Sequence, residues 1–155
     1  MNFRRNKFFS TGLTAALIFG LALPTVSYAT STVLPSVSAH AGVAPIIGKP
    51  KGTAPAKLII KNIIVGKGKI ASLSSTITAQ YVLMDWKTGK VLQTSWTSGA
   101  FTDPLTAVIV GWQKGIPGMK VGGRRLLVIP PSLAYPNGGG PAGTLVFVVD
   151  LLGVK

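Results

Sequence analysis

The chain has no cysteine, no glutamate, a single histidine and only three acidic residues. Without cysteine there is no disulfide framework and no N-terminal lipid attachment through a thiol. With His40 as the lone imidazole, lying among prolines and small residues, histidine-dependent catalysis and a histidine metal site have no material. Three carboxylates, far apart in sequence, give neither the paired acids of a glycosidase nor a metal cluster. They also leave little to protonate in acid, so charge and stability are expected to change little at low pH. The longest apolar run, Leu13 to Leu23, is too short to span a bilayer comfortably, which argues against stable membrane insertion. No internal repeat is visible.

Sixteen basic residues against those three acids give a net charge of +13. Such a balance usually points to a polyanionic partner. The lysines are scattered, however, and the longest basic run is the pair Arg124-Arg125. No aromatics interleave with clustered arginines, so nucleic-acid binding is not expected. A length of 155 residues suits one domain with a real core, and nothing in the pattern calls for more than a monomer.

The chain divides by composition. Residues 1–29 read as a secretory signal peptide, with Arg4, Arg5 and Lys7 ahead of the apolar segment and Ser27-Tyr28-Ala29 as a small-x-small cleavage site. The mature protein is therefore expected to be secreted or extracytoplasmic. Residues 30–56 are rich in Pro, Ser and Ala, the composition of a flexible linker that buries little and tethers nothing. Residues 57–155 are expected to form the folded domain.

Within that domain Leu58 to Val65 reads as a strand ended by Gly66-Lys67-Gly68. Thr76 to Met84 alternates, with Ile77, Ala79, Tyr81 and Leu83 on one face, the period of a half-buried strand. Asp85 to Gly89 is a turn and Lys90 to Thr94 a short returning strand. Ser95 to Pro104 is a Ser/Thr/Gly-rich loop carrying Trp96 and Phe101. Ile109, Trp112, Ile116 and Met119 recur at helical steps until Pro117-Gly118. Leu126 to Ile129 suits a buried strand ended by Pro130-Pro131. Pro136 to Pro141 is a loop, whose glycines lack the Lys-Ser/Thr of a phosphate cradle. Thr144 to Leu152, apolar on both faces, is a central strand. The fold expected is α+β, an antiparallel β-sheet wrapped around one short α-helix.

Two stretches carry a family likeness. GWQKGIPGMKVGGRRLLVIPPSLAY resembles the central signature of the FKBP family of peptidyl-prolyl cis-trans isomerases, and GTLVFVVDLLGV resembles that family's closing strand. The likeness implies an isomerase acting on X-Pro bonds of proline-containing polypeptides, here exported ones, with no cofactor and no metal, and with a macrolide as a further ligand of the class. It implies catalytic roles for Tyr81, Trp112, Tyr135 and Phe147. Trp112 would be the floor under the proline ring and Tyr81, Phe101 and Phe147 the walls, with Val108 and Ile109 at the rim. The Ile109 N–H and the Tyr135 phenol would donate to substrate carbonyls.

Taken singly these residues would be ordinary core, since a tryptophan at helical spacing and aromatics alternating on a strand are usually buried. The match of the whole set in type and order is what makes them a site. The chain departs from the family at Leu92 and Gln93, where the pattern has Phe-Asp. Leu92 would shrink an aromatic wall and Gln93 removes a carboxylate, for which nearby Asp103 offers a substitute. The loop after Tyr135 is also short of apolar residues that overhang substrate in relatives. Weakened turnover follows, and the alternative is a non-catalytic module of the same fold that binds apolar or proline-containing segments as a chaperone or envelope adaptor.

Overall fold

The structure, a computed structural model, describes residues 31–155. The signal-peptide reading falls on residues outside this range. The strands are β1 (Ile59–Ile64), β2 (Thr76–Asp85), β3 (Val91–Thr94), β4 (Phe101–Pro104), β5 (Arg124–Ile129) and β6 (Leu145–Val154). Among the described residues one α-helix, α1 (Val110–Gly115), lies between β4 and β5. All pairings are antiparallel, in the order β1-β5-β6-β2-β3, with β4 also on β2. The expected antiparallel sheet around one short helix is what forms.

The alternation read along β2 sorts the sheet into two apolar faces. On one, Ile77, Ala79 and Leu83 of β2 join Leu127 and Ile129 of β5 and Phe147, Val149 and Leu151 of β6, and α1 covers them with Trp112 and Ile116. On the other lie Met84, Leu126, Val128, Val146 and Val148. β6 is buried on both faces because it runs between β5 and β2, as its continuous apolar sequence requires.

Glycine sets the distance between helix and sheet. A β-carbon on Gly111 would overlap the Ile129 side chain, and one on Gly115 would come within 2.7 Å of Leu127 Cδ2. The two glycines, four apart, make one bare stripe that lets α1 lie directly on β5. The helix is shorter than its apolar spacing suggested. Ile109 is its N-cap and Ile116 its C-cap. Met119 is core, but it belongs to the turn after Pro117-Gly118, where its N–H donates to Ile116 O at 2.9 Å.

Two further expectations change. The Ser95–Pro104 loop contains β4, which pairs with Thr76 to Ala79 of β2. A four-residue edge strand ending in proline carries little sequence signal, and Pro104 needs no ladder N–H there. The segment expected to be a linker is packed. Val33 and Val37 form bridges with Lys51 and Ile47, and Leu34, Val37, Ile47 and Ala54 lie against the second face of the sheet. Pro35 and Pro50 are buried, and Trp86 Nε1 donates to Gly52 O at 3.4 Å. The reason is the sheet itself. Its second face also carries an apolar patch, and leaving the five large side chains Met84, Leu126, Val128, Val146 and Val148 in water would cost about 1.5–3 kcal/mol for each.

Arg124 and Arg125 sit side by side on β5 and, as strand neighbours, point to opposite faces. Arg124 is fully buried and forms a bidentate pair with Asp150, at 2.6 Å and 2.7 Å. Its remaining N–H groups donate to Ser38 O at 2.8 Å and Val43 O at 2.7 Å, fastening the N-terminal segment. Arg125 donates from Nη1 to Gly115 O at 2.7 Å, with Ile116 O and Pro117 O at 3.4 Å and 3.3 Å, and from Nε to Asn62 Oδ1 at 2.8 Å. It satisfies the carbonyls that the end of α1 leaves open. Burial lowers its guanidinium pKa from its ordinary value.

Candidate functional site

Between α1 and the sheet the packing leaves a cleft of about 280 Å³. Trp112, only 3% exposed, is at its base. Three rings stand nearly perpendicular to the indole: Phe147 from β6 with centroids 5.4 Å apart and planes at 82°, Tyr81 from β2 at 5.6 Å and 85°, and Phe101 from β4 at 5.7 Å and 84°. Tyr81 also meets Phe101 edge-on at 6.0 Å. Edge-to-face pairs of this kind add about 0.5–1.5 kcal/mol each beyond their buried area. The box is therefore held open by its own contacts.

Each ring has a local reason for its position. The Gly111/Gly115 stripe seats α1 on β5, leaving Trp112 directed away from it into the cleft. Tyr81 stands where β2's partner changes from β3 to β4, and Ser95 fills the gap in the ladder. The Tyr81 N–H donates to Ser95 Oγ at 2.8 Å and the Ser95 N–H to Tyr81 O at 3.1 Å. The Ser95 hydroxyl donates to Gln80 Oε1. Phe101 reaches the cleft because β4 is a strand, which places residues 101 and 103 on one side. Tyr135 follows the turn Pro131–Leu133. Gly140 packs on its ring so closely that a β-carbon there would lie 2.5 Å from Cδ1.

The polar edge is sparse. Among the described residues the Ile109 N–H has no acceptor, although Ile109 O accepts from Trp112 N at 2.9 Å and Gln113 N at 3.1 Å. The Trp112 Nε1–H is buried without a partner among the described residues. The Tyr135 phenol likewise has no hydrogen bond within the described residues. Burial, and then the neighbouring Tyr135, raises the Tyr81 pKa above 10.0, so its phenol is neutral at ordinary pH. Gln113 Nε2 donates to Val108 O at 2.8 Å and pins the rim just ahead of the helix.

Eight of the nine residues singled out from the sequence line the cleft: Tyr81, Phe101, Trp112, Tyr135 and Phe147, with Val108 and Ile109 at the rim and Gln93 reaching in from β3. Leu92 does not. It is 45% exposed on the outer side of β3, so it neither forms nor shrinks a wall. Asp103 lines the cleft from β4, where the sequence offered it as a stand-in for the missing carboxylate. Ala107 completes the lining and was not foreseen, nor were the positioning roles of Ser95, Gln113 and Arg125. Single polar residues carry no periodic signal. Among the described residues no three His, Cys, Asp or Glu side chains come together as metal ligands, and no helix is long and apolar enough to cross a membrane.

An antiparallel sheet clasping one short helix over an aromatic-floored cleft defines a domain of the FKBP fold. Residues 67–152 match the model of the FKBP-type peptidyl-prolyl cis-trans isomerases. The chain is 48% identical over 113 residues to a probable FK506-binding protein of Corynebacterium glutamicum, covering 70% of this chain and 96% of that one. It is 43% identical over 119 residues to the FK506-binding protein of Streptomyces anulatus, covering 71% and 96%. The crystal structure of FkpA from Escherichia coli superposes with a TM-score of 0.59 at 38% identity, covering 63% of this chain and 48% of that longer one. The chain belongs to the FKBP-type peptidyl-prolyl cis-trans isomerase family.

Proposed function

We propose that the cleft over Trp112 is where this protein isomerises X-Pro bonds, and that its substrates are exported polypeptides. One observation carries the reading: Trp112 is ringed edge-on by Tyr81, Phe101 and Phe147, beneath a rim whose Ile109 N–H has no acceptor among the described residues. The barrier to X-Pro rotation is amide resonance, about 18–20 kcal/mol, and exchange without a catalyst takes tens to hundreds of seconds. No bond needs to be made or broken. A twisted amide has lost delocalisation and carbonyl polarity, so an apolar cleft favours it over the planar amide that water solvates better.

In this reading the proline ring sits on Trp112 between the three aromatic walls. The Ile109 N–H and the Tyr135 phenol donate to carbonyls of the segment and hold it while the amide turns. Gln113 keeps the Ile109 donor in place through Val108 O. The export half of the proposal comes from residues 1–29. It is supported by their charged start, apolar middle and Ser27-Tyr28-Ala29 site.

Exchange spectroscopy on short proline peptides with substoichiometric protein tests the activity. Faster cis-trans exchange supports it. Line broadening without acceleration would favour the holding module, in which Gln93 in place of a carboxylate has ended catalysis. Recovery of the protein outside the cytoplasm, with its N-terminus at Thr30 by sequencing, tests export, and retention of residues 1–29 in the cytoplasm would refute it.

A further inference from the structure

The chain has three acidic side chains, and the fold uses two. Asp85 accepts from the Thr88 N–H at 2.7 Å and from the Thr88 hydroxyl at 2.5 Å, closing a turn. Asp150 is paired with Arg124. The Asp103 carboxylate has no hydrogen bond or ion pair among the described residues and caps nothing, since the 3-10 turn that follows has Pro104 at its N-cap and no side-chain cap. Yet it is half-buried and lines the cleft. Its direction is set by β4, in which Phe101 and Asp103 face inward while Thr102 and Pro104 are exposed. A protein of net charge +13 thus places its one uncommitted acidic side chain in the wall of its peptide cleft.

The geometry points to Asp103 as the residue that sets substrate preference: the cleft selects proline segments carrying lysine or arginine next to the proline. This rests on the reading of the cleft as a site for proline segments. With the proline ring on Trp112, a flanking residue is only about 3.3–3.6 Å further along the chain, so its long side chain reaches the wall that Asp103 occupies. The remaining lining is aromatic, aliphatic or a neutral amide, and offers a cation no other charged partner. The overall positive field opposes a basic peptide at a distance, but salt screens it beyond about 8–10 Å, whereas a contact pair in a half-buried cleft is screened much less. At such exposure one ion pair corresponds to about a two- to five-fold preference.

The test uses the full chain and blocked peptides identical except for Lys, Leu or Glu immediately before the proline, with a second set varied immediately after it. Exchange spectroscopy gives kcat/KM, and titration of the Trp112 indole signal gives Kd. Asp103→Asn is expected to lower the Lys/Glu selectivity ratio about two- to five-fold relative to the unmodified protein, and Gln93→Asp to raise it. The wild-type ratio is expected to shrink between about 0.02 M and 0.5 M salt by more than the Asp103→Asn ratio does. An Asp103→Asn ratio equal to wild type in both peptide sets overturns the proposal. If no peptide is turned over, the isomerase reading fails, and the ratio of Kd values still decides Asp103 in the same two ways. If no peptide binds, both readings fall.

Discussion

Arg125 Nη1 lies 2.7 Å from the carbonyl oxygen of Gly115, so a strand residue on the floor of the sheet holds the last turn of the helix that carries Trp112. Its neighbour Arg124 does the same on the opposite face, gripping Ser38 O and Val43 O while paired with Asp150. One strand, β5, thereby fixes both the helix that forms the cleft and the segment that covers the back of the sheet.

Replacing Arg125 with lysine keeps the charge but loses the fork that meets three carbonyls and Asn62 together. Arg125→Lys is expected to destabilise the domain by about 1–3 kcal/mol, read as a lower urea midpoint with unchanged slope. Because the helix end moves with it, isomerase activity should fall as well. A variant as stable and as active as wild type would show that the helix needs no such anchor.

On the other face, Asp150→Asn removes the charge partner of a fully buried guanidinium, a loss expected to cost about 3–5 kcal/mol. Deleting residues 31–56 should also destabilise the remaining domain, by several kcal/mol, since Leu126, Val128, Val146 and Val148 lose their cover. It should also raise binding of a hydrophobic dye. A truncated protein with an unchanged melting temperature would return the segment to the status of a linker.

Gly111→Ala places a methyl group in Ile129. The helix must lift, at about 1–3 kcal/mol for overpacking, and Trp112 lifts with it. Activity should drop by more than the small loss of folded protein explains, measured as kcat/KM under conditions where circular dichroism shows the variant fully folded.

Tyr81 has a pKa raised above 10.0 in the folded state by burial and by Tyr135. Its contribution to stability is complete below the unfolded value and is lost as pH rises from about 10 through the folded value, because only the unfolded chain ionises freely there. Unfolding free energy measured from pH 9 to 11 should fall, and Tyr81→Phe should flatten that fall. An equally steep decline in the variant would assign it to other groups.

Much of this was legible in the sequence, because burial enforces periodicity. β2 announced its inward face through Ile77, Ala79, Tyr81 and Leu83, and β6 its central place through an unbroken apolar run. The aromatic box could be named because its members matched a known pattern in order. What the sequence hid has a common cause. Arg124 and Arg125 look like solvated residues until their partners 26 and 10 positions away are brought to them. The prolines and serines before residue 57 resemble a linker until an apolar sheet face needs covering. β4 is too short, and Ser95 and Gln113 too solitary, for any pattern to single them out. Leu92 was misplaced because a likeness in sequence does not say which side of a four-residue edge strand a side chain takes.

The most direct test of the account compares two tryptophans in the same exchange assay. Trp112 is the base of the cleft, and Trp96, half-buried with an indole N–H that is also unpartnered among the described residues, lies outside its lining. With both variants folded by circular dichroism, Trp112→Leu should lower kcat/KM on a proline peptide by at least about ten-fold, about 1.4 kcal/mol of transition-state stabilisation, while Trp96→Leu stays within about two-fold of wild type. Undiminished exchange in Trp112→Leu would contradict the assignment of catalysis to this cleft.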